Sequence, residues 1–309
     1  MPIRESRPKL RGTQLLVEHM STVTRRPVLV AIEIAWRWLF GIPFLLVCLQ
    51  QARQILAAYR LESSGFNLID PQNPWASATQ LAHVIAFYEP HVAAVARWLL
   101  PSAALAWIII SGVGRALVLH FLEPDRAPRL PFKPLTVIAT QTVWLCLLAL
   151  VVWAWLHTMH WVWFSHSSAG GEPDLIGYSI WAIFLVLGFF TAWALISWTV
   201  SIAPLLALYE RRSTLSALGA SIHLGREFSG KLAEINLVLG IVKLALLVVA
   251  MVFSAAPLPF SDELGPDAMH FVWAGAAVFF LVADDCFQVV RLKAFAEFRK
   301  VYRGAQEPA

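Results

Sequence analysis

The stretch VLVAIEIAWRWLFGIPFLLVCL, residues 28–49, is long and apolar enough to cross a lipid bilayer. A hydrocarbon core of about 30 Å takes roughly 20 apolar residues of helix. Five further stretches of this length follow, so that the predicted spans lie near 28–49, 98–120, 135–156, 179–203, 235–255 and 271–290. Their apolar residues are continuous rather than alternating, which favours helices over β-barrel strands. We therefore predict an all-α, polytopic integral membrane bundle with six transmembrane helices.

The composition of the chain is typical of a protein dissolved in lipid. Of its 309 residues, 58% are hydrophobic and 14% are charged, proportions that exclude an ordinary soluble fold. The three cysteines, Cys48, Cys146 and Cys286, lie within or at the ends of apolar runs, in no spacing typical of metal or redox sites. We interpret them as packing residues.

Lysine and arginine cluster in alternate connecting segments. Eighteen of the 24 lie in four segments, namely 1–26, 121–133, 210–232 and 291–309. None lies in 157–177 or 256–269, which carry acidic residues instead. Because positively charged segments stay in the cytoplasm during insertion, this pattern predicts six spans with both termini cytoplasmic. Segment 50–97 is then external, although it contains three arginines. Topology also explains the net charge of +4, so no nucleic-acid partner is predicted.

This topology divides the chain into three parts. Residues 1–26 are predicted to form a basic cytoplasmic tail, residues 27–303 the six-helix transmembrane domain, and residues 304–309 a C-terminal tail. The first span begins too late for a cleavable signal peptide, so we interpret Pro27 onward as a retained membrane anchor. The sequence shows no internal repeat of the kind found in secondary transporters, and one membrane domain is the simplest partition.

An amphipathic helix is predicted in the external segment. Asn73 followed by Pro74 is typical of a helix start, with Asn as the N-cap and Pro at the first helical position. Apolar residues then recur with helical spacing from Leu81 to Val95. Pro90 is expected to kink this helix, because its ring removes a backbone donor. The helix is expected either to lie at the outer interface or to fold back onto the bundle.

A second amphipathic helix is predicted on the cytoplasmic side, within residues 211–232. Leu215, Leu218 and Ile222 form a narrow apolar stripe. The stripe is flanked by four basic residues, Arg211, Arg212, Arg226 and Lys231. Each such group contributes about 1 kcal/mol of attraction to anionic lipid near the membrane surface, so the helix is expected to rest on the inner leaflet. The alternative is a solvated connector whose charges are incidental.

Six ionisable residues fall in the middle or cytoplasmic half of the predicted spans, and we call them the polar seam: Glu33, Arg37, Arg115, Lys243, Asp284 and Asp285. A charge at mid-bilayer costs about 2.5–3.5 kcal/mol, and a neighbour of opposite sign is the usual remedy. Glu33 and Arg37 are four residues apart and share a helix face. Lys243 is expected to pair with Asp284 or Asp285 across a helix contact. Arg115 is close enough to the inner end of its helix to reach the headgroups without a partner.

The polar seam has two interpretations. As structure, its ion pairs fix the register and orientation of the helices. As function, the same residues line an inward-facing site for a solute, a proton or an anion. No polar residues continue the seam to the outer face, and this disfavours a channel through the membrane.

Histidine and tryptophan are concentrated in residues 153–174. His157 and His160 are three residues apart on one helix face, and His166 follows in the acidic outer loop. Zinc needs three or four such ligands in tetrahedral geometry. The spacing of these three histidines matches no strong zinc motif, so they are weak metal candidates. The competing interpretation is an aromatic belt at the membrane interface, with the histidines in headgroup water. No two histidines lie at matched mid-membrane depth, which disfavours haem, and no cofactor is expected.

Residues 201–247 resemble a broad group of six-helix bacterial membrane proteins. The similar elements are a span ending near a proline, an acidic residue at its inner end (Glu210), and then Ala217, Ser221, Leu224, Gly225 and Phe228 leading into the next span. The group includes the membrane domain fused to some glycerophosphodiester phosphodiesterases. The resemblance implies a six-helix fold with the 211–232 helix on the cytoplasmic side, and we expect the protein in a bacterial inner membrane. It implies no activity, because the chain contains no soluble phosphodiesterase domain.

Three functional hypotheses follow. The first is a non-enzymatic scaffold or accessory subunit that contacts the lipid bilayer and other membrane protein subunits. The alternative is a small-solute or ion transporter with an inward-facing polar site. The second alternative is a subunit of a metal- or haem-dependent membrane enzyme.

Overall fold

The computed structural model describes residues 12–58, 74–122, 133–167, 174–255 and 266–306. Within these ranges the chain is helical and contains no strand. In chain order the helices are α1 (Gly12–Thr24), α2 (Pro27–Ala58), α3 (Pro74–Leu122), α4 (Pro134–Ser167), α5 (Leu175–Val200), α6 (Ala203–Tyr209), α7 (Thr214–Glu227), α8 (Ser229–Ala255) and α9 (Pro266–Gln306). The start of the external helix at Asn73 and the N-terminal residues 1–11 lie outside the described residues.

Six stretches of the described chain are long and apolar enough to cross a membrane. They are Pro27–Ala58, His83–Leu122, Pro134–His166, Ile176–Tyr209, Ser229–Val252 and Met269–Val301. Each contains or overlaps one of the six spans predicted from the sequence. The prediction of an all-α polytopic membrane protein is therefore confirmed.

The predicted external helix is joined to the second span. α3 runs for 49 residues and continues through both Pro90 and Pro101. At 1.5 Å per residue its length is about 73 Å, more than twice the thickness of the hydrocarbon core. The segment between Val95 and Trp98 contains no Gly, Asn or other helix-ending signal. The amphipathic segment and the span therefore form one helix rather than two elements.

The two termini contain more regular structure than the predicted tails. Residues 12–24 form α1, which packs against α8 and α9. Only Arg25 and Arg26 separate α1 from α2. At the other end, α9 continues beyond the predicted span as far as Gln306. The apolar periodicity of α1 and of the end of α9 explains this extension, because each helix has a face that another helix covers.

The chain divides into two compact units, and residues 36–110 form the smaller one. This unit contains the second part of α2 and the first part of α3. The Trp107 ring lies 5.7 Å from Trp36 and 5.2 Å from Phe40, measured between centroids. An apolar cavity of about 270 Å³ lies between the two helices, lined among others by Phe44 and Ser102.

The larger unit comprises residues up to Ala35 and from Ser111 onward, and its best-packed part lies at one end. All seven residues of α6 are buried there. Around α6 the side chains that are at most 1% exposed include Leu119, Leu122, Leu224, Phe295 and Phe298. We call this region, formed by α1, α6, α7 and the adjoining ends of α3, α8 and α9, the basic end, because it borders the Lys/Arg-rich segments. Elsewhere the spans expose large apolar side chains, as expected for surfaces that face lipid.

Candidate functional site

Glu33 and Arg115 form an ion pair between α2 and α3. Arg115 Nη1 lies 3.9 Å from Glu33 Oε1, and the Glu33 side chain is completely buried. Glu33 is six residues from the start of α2 and Arg115 is seven from the end of α3, so both lie about 10 Å along their helices from the basic end. Arg115 therefore has a partner, although the sequence indicated that it needs none. Its side chain is only 14% exposed and lies against Glu33.

Lys243 and Asp284 form the second ion pair of the polar seam. Lys243 Nζ lies 2.5 Å from Asp284 Oδ1, so the pair joins α8 to α9. Asp285, the next residue of α9, is 3% exposed. Lys243 is 12 residues from the end of α8, or about 18 Å along the helix, which places the pair well inside the hydrocarbon core. The contact expected across these two helices is present.

The sixth residue of the seam, Arg37, belongs to the smaller unit. Its guanidinium carbon lies 5.6 Å from the centroid of the Trp36 ring, within the range of a cation–π contact. Glu33, four residues earlier on α2, belongs to the larger unit. The seam thus contains an ion pair between α2 and α3 and another between α8 and α9.

The three histidines of the outer cluster contact residues of their own helix, α4. The His157 ring stacks on Trp153 with centroids 5.5 Å apart, and His160 lies 6.3 Å from Phe164. His166 Nδ1 lies 2.9 Å from the carbonyl oxygen of Val162. In the described part of the chain, no group of three or more His, Cys, Asp or Glu residues is placed to hold a metal ion.

The structure gives α7 two distinct faces. Its buried residues are Ala217, Ser221, Leu224 and Gly225, which recur with helical spacing and pack towards α5 and α6. Of the predicted apolar stripe, Leu215 is 81% exposed and Ile222 is 57% exposed. The helix is thus held by Leu224 and three small residues, and two of its larger apolar side chains, Leu215 and Ile222, point away from the protein.

Basic residues flank both ends of α7. Arg211, Arg212 and Arg226 are exposed, and Lys231 is partly exposed at the start of α8. Arg226 follows Ile222 by four residues and therefore lies on the same side of the helix. Arg211 has a positive φ of 55°, a left-handed conformation that turns the chain sharply between α6 and α7. The exposed side of α7 therefore combines apolar and cationic groups.

Three buried residues at the basic end are not among the candidates that the sequence indicates. Arg299 is 1% exposed, with its guanidinium 4.5 Å from the centroid of the Tyr209 ring. The Tyr209 hydroxyl donates to the carbonyl oxygen of Leu119, 2.7 Å away, so these contacts tie α9, α6 and α3 together. On α1, His19 is 6% exposed. Its place between Leu16 and Val23 in a helical i, i+3, i+7 pattern is the sequence signal that identifies it.

Comparison of the chain with protein-family models, curated proteins and solved structures finds no match. The resemblance of residues 201–247 to six-helix bacterial membrane proteins stays a prediction.

The close approach of α7 to α5 predicts a strong effect of substitution at Gly225. A Cβ atom at Gly225 would lie 2.9 Å from Thr199 Cγ2 and 3.3 Å from Thr199 Oγ1. We expect Gly225→Leu to destabilise the protein by about 1–3 kcal/mol, the usual cost of overpacking. Thermal unfolding in detergent micelles measures the effect. Gly219→Leu is the control, because a Cβ atom there has no neighbour within 4 Å; an equal loss of stability in both variants would contradict the prediction.

Proposed function

We propose that the protein is a non-enzymatic membrane scaffold or accessory subunit whose basic end binds anionic lipid headgroups through α7. The observation that carries this proposal is the arrangement of α7. Its small residues face the protein, and Leu215, Ile222 and Arg226 face outward together. A helix lying in the membrane interface needs both properties, an apolar face for the acyl chains and cations for the headgroups.

The charges around α7 supply the attraction to an anionic leaflet. Each Lys or Arg near such a surface contributes about 1 kcal/mol, and four of them surround α7. The Lys/Arg distribution predicts that this end of the bundle is cytoplasmic, where the leaflet is anionic. The proposal therefore places the protein in a bacterial inner membrane, with both termini and α7 on the cytoplasmic side.

Lipid-dependent stability tests the proposal. The full-length protein would be placed in nanodiscs of phosphatidylcholine alone or with phosphatidylglycerol, and the melting temperature Tm would be measured in each. We expect phosphatidylglycerol to raise the Tm, and 0.5 M salt to remove most of the increase, because salt screens exposed charges. Arg211→Gln combined with Arg226→Gln should lose about half of the increase, since two of the four cations are removed.

The control variant is Arg97→Gln, which removes an exposed cation from α3 in the smaller unit. It should retain the whole effect of phosphatidylglycerol. If the Tm is the same in both lipids, or if Arg97→Gln loses as much as the double variant, the proposal is wrong. Subunits that co-purify in mild detergent would support the accessory role over a protein that acts alone.

Transport of a small solute is the second candidate function. The observation that favours it is that Lys243 and Asp284 keep side-chain exposures of 31% and 27% although they lie at membrane depth. Uptake by liposomes containing only this protein would support transport and remove the accessory role. Lys243→Ala should abolish that uptake, and unchanged uptake would exclude the pair as a transport site.

A further inference from the structure

α1 is a short helix held against the bundle by one narrow face. Its buried residues are Leu16, His19 and Val23, and this face packs against α8 and α9. The opposite face is open, with Val17 at 73% and Met20 at 45% exposed. Among the side chains of α1 that the structure describes, from residue 16 onward, two apolar groups and one imidazole are therefore buried in this contact.

The imidazole of His19 is the group in this contact whose burial depends on its protonation state. Nε2 of His19 is buried and has no hydrogen-bond partner among the described residues. A neutral imidazole needs to donate only one hydrogen bond, and its other nitrogen can remain unprotonated. An imidazolium has two donors and a full charge, and burying such a group without an acceptor is strongly unfavourable.

The charges around His19 come from α1 itself and from α9. They are Glu18, Lys293, Glu297 and Lys300. Glu297 is the carboxylate with the larger effect on the pKa of His19, but it forms an ion pair with Lys300 at 3.3 Å. In the described part of the chain, α8 adds no charge to this set. Burial lowers the pKa of His19, Glu297 opposes that shift to a smaller extent, and Lys293 adds to it.

We propose that α1 is an acid-sensitive latch, which docks on α8 and α9 while His19 is neutral and leaves them when His19 takes up a proton. The latch regulates access to the surface that α1 covers at the basic end. It does not depend on lipid binding by α7, because the contacts of α1 are made with other helices.

The direction of the pH dependence follows from linkage. The released helix binds a proton more readily than the docked one, because docking lowers the pKa of His19. Docking is therefore strongest above the ordinary histidine pKa of 6.5 and weakens as the pH falls below it. For one proton, the docking equilibrium constant falls by at most about tenfold for each pH unit.

Electron paramagnetic resonance of a spin label on α1 tests the latch. The label would be attached at Val17→Cys, an exposed position, in the full-length protein with Cys48, Cys146 and Cys286 replaced by alanine. We expect an immobilised label at pH 8 and a growing mobile component between pH 6.5 and pH 5. His19→Leu should keep the label immobilised throughout, because leucine fills the site and cannot take up a proton.

Two further variants complete the experiment. His19→Arg carries a permanent charge and should give a mobile label even at pH 8. His223→Leu, which removes an exposed histidine from α7, should leave the transition of the parent protein unchanged. The proposal is overturned if the label mobility of the parent protein is the same at pH 8 and pH 5, if the transition persists in His19→Leu, or if His19→Arg remains docked.

Discussion

Replacing Glu33 by leucine should destabilise the protein by about 3–5 kcal/mol, the cost of removing one partner from a buried ion pair. Glu33 is completely buried, and its carboxylate lies 3.9 Å from Arg115. Leucine fills the site without a charge, so most of the loss is electrostatic. Arg115 is 14% exposed and loses the carboxylate that offsets its desolvation. Unfolding in mixed detergent micelles with increasing sodium dodecyl sulfate measures the difference.

The double variant Glu33→Leu with Arg115→Leu distinguishes the net contribution of the ion pair from the cost of leaving one charge buried alone. Removing both charges should restore most of the lost stability, because a well-packed apolar pair is often as stable as a buried ion pair. Glu89→Leu, at an exposed position of α3, is the control and should change the stability by less than about 0.5 kcal/mol. A Glu33→Leu variant as stable as the parent protein would show that the pair contributes nothing to folding.

The ion pair between Glu33 and Arg115 shows where sequence reasoning reaches its limit. The spacing of Glu33 and Arg37 predicts a shared helix face, since residues four apart are neighbours on any helix. The structure also brings Arg115, 82 positions away in the chain, to 3.9 Å from Glu33, a contact that no spacing in the sequence predicts. Contacts between helices depend on the rotation of each helix as well as on depth, and a single sequence does not determine that rotation. Where the depths of two opposite charges agreed, as for Lys243 and Asp284, the expected pair is present.

The spans themselves were predictable because lipid leaves the backbone few alternatives. A run of about 20 apolar residues in a bilayer must satisfy its own backbone hydrogen bonds, and an α-helix does so. The number of spans therefore follows from counting the apolar runs of that length. The ends of the helices did not follow, as α3 and α9 show. Beyond the hydrocarbon core, water can satisfy the backbone, and capping and tertiary contacts decide where a helix stops.

At the basic end, the hydrophobic pattern did not identify the packed faces of α1 and α7, for two different reasons. For α7 the sequence predicts an apolar stripe, but the face that packs on the protein contains Ala217, Ser221 and Gly225 beside Leu224, and a hydrophobic pattern does not emphasise these three small residues. For α1 the stripe contains His19 as its middle member. A histidine interrupts the apolar pattern unless it is assumed to be neutral, so the pattern alone predicts a basic tail and not a packed helix.

Exchanging the charges of Lys243 and Asp284 should preserve the protein, whereas removing either one alone should not. The two side chains meet at 2.5 Å between α8 and α9, at membrane depth. A single charge left there costs about 2.5–3.5 kcal/mol on insertion scales, so Asp284→Leu and Lys243→Leu should each lose about that much stability. Lys243→Asp combined with Asp284→Lys keeps one charge of each sign in contact and should recover most of it. The same unfolding titration in mixed micelles measures all four proteins.

The pair formed by Lys300 and Glu297 is the matched control, because its exposure is similar and its surroundings differ. Its side chains are 38% and 33% exposed, against 31% and 27% for Lys243 and Asp284. It lies about 20 Å further along α9, at the basic end, where exposure means contact with water or headgroups. Such a pair contributes about 0.2–1 kcal/mol, so Glu297→Leu at pH 8 should cost little. If Asp284→Leu costs no more than Glu297→Leu, or if the exchanged protein is as unstable as the single variants, Lys243 and Asp284 do not act as mutual counter-ions inside lipid.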